Sequence, residues 1–114
     1  KHLLLSGGEL TVYRASADGR GGPNLEYLTG LLGALSPVDP IEAVAGDSDG
    51  IDGTEDNAGG YISAIWADPQ AAAQALATNR SYDLFEHLGG LIKTGPTRTN
   101  VNDIRMIAVE GRMP

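Results

Sequence analysis

Apolar and polar positions along this chain alternate between the two-residue period of strands and the 3.6-residue period of helices. Two short β-prone runs, Leu3-Leu4-Leu5 and Leu10-Thr11-Val12-Tyr13, flank Ser6-Gly7-Gly8-Glu9, and a Gly-Gly pair between such runs permits a tight hairpin. After a loop over residues 15–24, Leu25, Leu28, Leu31, Leu32 and Leu35 recur at helical spacing. They predict a helix starting near Asn24 or Leu25, with Asn24 as its N-cap and Glu26 in its first turn. Ile41 to Ala45 is apolar except for Glu42, the pattern of a strand covered on both faces. Residues 58–66 read as the opening of another helix. The helical pattern continues from Pro69 to Ala77, with Asp68 as cap. Asn79-Arg80-Ser81 breaks it, and Tyr82 to Leu88 forms a short helix with Leu84, Phe85 and Leu88 on one face. Gly89-Gly90 stops that helix, Leu91-Ile92 starts a strand, and Ile104 to Val109 is a last strand interrupted by Arg105. The succession predicts a single α/β domain with a mixed β-sheet covered by helices.

The length, 114 residues, suits one domain with its own core, and the absence of cysteine excludes a disulfide scaffold and thiolate metal sites. A net charge of -7 argues against binding to nucleic acid or to an anionic membrane surface. No apolar run approaches the ~18 residues of a membrane span, and Lys1 to Ser6 is too short for a secretory signal. The chain does not begin with Met, so a fragment or a processed product is expected.

Three polar centres carry the candidate chemistry. The first, Asp47 to Gly60, interleaves Asp47, Asp49, Asp52, Glu55 and Asp56 with four glycines just after the apolar run. A strand that runs out into such a loop is where α/β proteins place ligand groups, and one or two of these carboxylates would suffice for Mg²⁺. The second is the Ser6–Glu9 turn, where Ser6 and the glycine amides form a small nest for an anion or a substrate oxygen; Arg20, among glycines before a helix start, separately offers a guanidinium fork to a phosphate or carboxylate. The third, Thr94 to Asp103, holds three Thr, two Asn, an Asp and an Arg in ten residues, costly to order unless they satisfy something. His87 falls on the exposed side of its helix and is assigned no chemistry.

Known motifs are excluded one by one. Gly19-x-Gly21 lacks the third glycine of a dinucleotide fingerprint, because Asn24 stands there. Lys93-Thr94 follows Ile92, where a phosphate-binding loop needs Gly. Counted from Asp47, an EF-hand would need Asp or Asn where Ile51 stands and Gly where Asp52 stands.

Four stretches taken together, LLSGGE (4–9), GRGGPNLE (19–26), SDGIDGTEDNAG (48–59) and TGPTRTNVNDIR (94–105), resemble the successive motifs of the MOFRL domain. That domain is the C-terminal half of the glycerate 2-kinase family, some members of which are labelled hydroxypyruvate reductase. The resemblance spans residues 1–114 as one domain. It implies an absent N-terminal partner domain, with the active site between the two. The family often has Arg where Pro23 stands and Gly where Arg98 stands, so one basic contact is lost and another gained.

The resemblance implies ATP-dependent phosphorylation of D-glycerate at its 2-hydroxyl, with Mg²⁺ and ATP, in a cytoplasmic enzyme. An oligomer is left open, and this chain alone is expected to be inactive. Asp49, Asp52 and Arg20 are the candidate catalytic residues, and Asp49, Asp52 and Asp56 the candidate metal ligands. Ser6, Gly7, Gly8, Glu9, Asn24, Thr97, Thr99, Asn100, Asn102 and Asp103 are the candidate substrate contacts. An NADH-dependent hydroxypyruvate reductase and a noncatalytic metal- or metabolite-binding module are the rival readings.

Overall fold

The computed structural model describes residues 2–8, 20–53, 55–98 and 103–110. Five strands form one sheet in the order β1 (His2–Gly7), β5 (Asp103–Val109), β2 (Ile41–Asp47), β3 (Gly59–Ser63), β4 (Leu91–Ile92). Helices α1 (Pro23–Ala34), α2 (Pro69–Thr78) and α3 (Ser81–Leu88) complete the α/β domain. All four described ladders run antiparallel, where a mixed sheet was expected. The reason lies in β5. The β1 and β2 strands run parallel to each other, but β5 returns between them and pairs antiparallel with both.

Strand β2 shows why the helices lie where they do. Ala43 and Ala45 point to one face, opposite Ile107 and Arg105 of β5 and Ile62 and Gly60 of β3. On that face Leu25, Leu28 and Leu32 of α1, Ala72 of α2 and Tyr82 and Phe85 of α3 join Ala43, Ala45 and Ile62 in one buried core. The leucine stripe thus does what its period predicts. Truncating a fully buried residue of this kind, such as Phe85, costs about 3–5 kcal/mol.

Two local expectations change. The segment after Ala58 is strand β3 followed by a single 3₁₀ turn, Ala64–Trp66, and does not open a helix. Gly59-Gly60 has poor helix propensity, and Tyr61-Ile62-Ser63 gains a full ladder by pairing with β2. Helix α1 starts at Pro23, with Gly22 as N-cap, so Asn24 lies inside the first turn. Asp68 caps α2 as expected, its side chain accepting from the Ala71 amide at 3.1 Å, and Asn79 and Gly89 close α2 and α3 in the left-handed conformation. The proposed partner strand of the first hairpin, residues 10–13, lies outside the described residues.

Candidate functional site

Register places Ser6, Gly7 and Asp103, with Asp47, at one end of the sheet. Asp47 ends β2 opposite Asp103, which begins β5, and Gly7 ends β1 opposite Ile104. The N-terminus of α1 arrives at the same end through Asn24.

At its centre is Asp52. It is fully buried, and its carboxylate accepts from the Asn24 amide at 2.9 Å, the Leu25 amide at 3.0 Å and Asn24 Nδ2 at 3.1 Å. The acidic loop therefore supplies the cap that Gly22 cannot, and satisfies amides that helices otherwise leave unpaired. Gly22 permits the approach: a Cβ there would lie 2.4 Å from the Asp52 carbonyl carbon. Burial raises the Asp52 carboxyl above its ordinary range, opposed by its hydrogen bonds from Asn24 and Leu25 and reinforced by the nearby charge of Asp103. Asp52 is thus not placed to touch a substrate or a metal, against its assignment as a catalytic residue and metal ligand. Its negative charge also occupies the helix end at which an anion would otherwise bind.

Asn24 carries the link onward. Its second Nδ2 hydrogen reaches Asp103 Oδ1 at 3.0 Å, so both hydrogens are spent and the amide orientation is fixed. Its Oδ1 is buried with no partner among the described residues. Asp103 is 5% exposed.

The loop tip is built from short Asx-type turns. Asp47 Oδ1 accepts from the Asp49 amide at 3.1 Å, and Asp49 Oδ1 accepts from the Ile51 amide at 2.8 Å. The second polar loop docks on this tip, with the Thr97 amide donating to the Asp49 carbonyl at 3.1 Å and Thr97 Oγ1 to the Ser48 carbonyl. Gly50 makes the contact possible: its φ is +91°, and a Cβ would lie 2.1 Å from the Gly95 carbonyl oxygen. Partial burial, then Asp49 and Asp103, push the Asp47 carboxyl up, against the pull of the backbone hydrogen bond from Asp49. Arg98, at φ 61°, occupies the left-handed region where the family resemblance expects Gly.

At the end of β1 the glycines hold a cation. Arg105, 6% exposed, donates to the Gly8 carbonyl at 3.1 Å, the Gly7 carbonyl at 2.9 Å and Ser6 Oγ at 3.2 Å, and lies over the Tyr27 ring. The expected anion nest is in its carbonyls a guanidinium cradle. The signal for Arg105 was its place in the alternation: with Asp103 and Ile107 it occupies the inward face of β5.

Arg20 belongs to a separate lateral network. It pairs with Glu55 at 2.9 Å and Asp83 at 3.4 Å, and its guanidinium lies 4.2 Å over the Tyr82 ring. The Tyr82 hydroxyl donates to Asp56 at 2.7 Å, and Lys93 pairs with the same carboxylate at 3.3 Å. The Tyr82 hydroxyl, then Lys93, hold Asp56 below the usual carboxylate range. Arg20 and Asp56 thus tie the acidic loop to α3, and the three candidate metal ligands do not converge. No group of three His, Asp or Glu side chains among the described residues could hold a metal ion. Glu9, Thr99, Asn100 and Asn102 lie outside the described residues.

The result is a five-stranded α/β domain with one sheet end lined by carboxylates, an amide and a docked threonine loop. The chain belongs to the MOFRL family, whose model matches residues 2–103. A protein of Agrobacterium vitis named "Putative hydroxypyruvate reductase" is 46% identical over 94% of this chain and 26% of its own length. A protein of Pyrococcus horikoshii named glycerate 2-kinase is 37% identical over 96% of this chain and 26% of its own. The crystal structure of a glycerate kinase from Thermotoga maritima superposes with a TM-score of 0.84 at 33% identity, over 95% of this chain and 27% of that one. The chain thus spans about a quarter of the length of the relatives it matches. No helix among the described residues is long and apolar enough to cross a membrane.

Proposed function

We propose that this domain forms one wall of a glycerate 2-kinase active site. There ATP phosphorylates D-glycerate at the 2-hydroxyl to give 2-phosphoglycerate, and a further domain of a longer polypeptide supplies the rest. The observation that carries the reading is the convergence of Asp49, Asn24, Asp103 and the Thr97 loop at one sheet end, in a family whose members include named glycerate kinases.

In the transfer, a bond forms from the glycerate 2-oxygen to the γ-phosphorus while the bond from that phosphorus to the ADP oxygen breaks. The hydroxyl loses its proton. Little covalent work falls to the protein, so position and charge decide the rate. Asp49, at the loop tip, orients the hydroxyl and takes its proton. Asp103, held by Asn24 Nδ2, receives a substrate hydroxyl, and Thr97 with Thr99, Asn100 and Asn102 reaches substrate oxygens. Asp52 and Arg105 hold this frame without touching substrate.

Mg²⁺ needs only one or two protein carboxylates, and Asp47, which stands beside Asp49 at the loop tip, is the one on this chain that would hold it. When bound it neutralises charge on the phosphates. The reductase reading draws on the name of the Agrobacterium vitis relative, although this chain carries no dinucleotide fingerprint.

Coupled assays separate the readings. A relative-length protein is expected to release ADP only when ATP and D-glycerate are both present, and the 114-residue chain alone to release none. ADP release by the chain alone would overturn the shared site. NADH oxidation with hydroxypyruvate and no ADP release would favour the reductase. Calorimetric binding of Mg²⁺, ATP or glycerate without turnover in the longer protein would leave a binding module.

A further inference from the structure

Strand β2 reads as apolar on both faces, yet all three helices contribute to a core on one. On the opposite face stand Leu3, Leu5, Val44, Tyr61, Ile104 and Met106, from four strands. Leu3 is 60% exposed, Leu5 69% and Met106 36%. Val44 and Met106 line two adjoining shallow grooves of about 220 and 250 Å³, so the apolar surface is continuous. The groove floors are small residues, Ala108, Gly46 and Gly59 among them, which admit close approach of a second backbone. At one end Asp39, Glu42 and Glu110 line a neighbouring hollow, an acidic rim. Contiguous apolar faces of this kind mark interaction surfaces.

We infer that this open sheet face is the seat of an amphipathic helix from the flanking polypeptide, with an apolar stripe on the sheet and a basic residue at the acidic rim. The match covers only a quarter of each relative, so roughly three quarters of a relative-length chain is available to supply it. A tethered segment is present at an effective concentration in the millimolar range and so wins over a second copy in dilute solution. A helix there gives the sheet the second covering layer that its apolar pattern calls for. The inference does not depend on the kinase reading.

The chain has no cysteine, so a single introduced thiol reports on the face directly. Met106→Cys and Leu5→Cys are each made in the 114-residue chain and in the same domain carried within a polypeptide of relative length, with Gln74→Cys on the exposed side of α2 as reference. Thiol labelling at Met106→Cys and Leu5→Cys is expected to match the reference in the short chain and to slow on the order of tenfold or more in the long one. Equal, rapid labelling in both overturns the inference. Slow labelling already in the short chain also overturns it. If that rate rises on dilution, a second copy covers the face; if not, the chain's own segments do.

Discussion

Replacing Asp52 with alanine deletes the carboxylate that accepts from two main-chain amides and one side-chain amide at 2.9–3.1 Å. Asn24 Nδ2 keeps its bond to Asp103, but the Asn24 and Leu25 amides are left inside without an acceptor. Each buried donor stranded this way costs about 1–3 kcal/mol, so two give about 2–6. Part of this is offset, because the variant no longer buries a carboxylate whose upward-shifted pKa records its desolvation. Loss of an N-cap in other helices costs about 0.5–2 kcal/mol. Together these place Asp52→Ala near 3 kcal/mol, a large part of the ~5–15 kcal/mol that holds a domain folded. With a urea slope of about 2 kcal/mol/M, the midpoint falls by about 1.5 M, read by circular dichroism on the 114-residue chain. Asp52→Asn keeps one acceptor oxygen and should lose roughly half as much. A shift of Asp52→Ala below about 0.5 kcal/mol, the ordinary range for surface changes, would refute the trans-cap.

The same carboxyl predicts a pH effect. Its folded pKa is raised above 3.8, so between 3.8 and the raised value the folded state binds more protons, and stability rises as pH falls through that window. The stability gap between the parent and Asp52→Asn should widen as pH falls toward 3.8 in urea titrations, and a narrowing gap would contradict the burial argument. Gly50→Ala combines a φ of +91° with a collision at the Gly95 carbonyl, and should cost about 2 kcal/mol or more while loosening the 94–98 loop to proteolysis. Arg20→Gln should lower the melting temperature slightly and leave turnover per folded molecule of the long form unchanged, because Arg20 is held by Glu55, Asp83 and Tyr82; a large turnover loss at unchanged melting would restore it to the site.

Much of the fold was legible where one period dominates. The leucine stripe of α1, the proline and aspartate that open α2, and the glycine that closes α3 are local devices, and they appear where the sequence places them. The misread segment after Ala58 is one where pairing to β2 overrides a local pattern. The sheet's handing of β5 between β1 and β2 leaves no local signal at all. The acidic loop was legible as a centre, but not the division of labour within it. Asp49 and Asp52 look alike in the string, and only the arrival of α1, at a sequence distance of 28 residues, turns Asp52 into a buried cap. Likewise Arg20 sits in a motif suited to phosphate, yet Glu55 and Asp83 reach it first through contacts that no spacing rule reports.

The most direct test of the shared kinase site is Asp49→Asn in a protein of relative length, with turnover and melting measured side by side. The substitution keeps side-chain size and the oxygen that accepts from Ile51, so the loop turn survives it. Glycerate-dependent ADP release is expected to fall on the order of 100-fold, the scale of a lost acid–base or electrostatic group, with an almost unchanged melting temperature. Near-normal turnover would make the loop tip a solvated surface, and melting that falls in step with turnover would make Asp49 structural; either result contradicts the site.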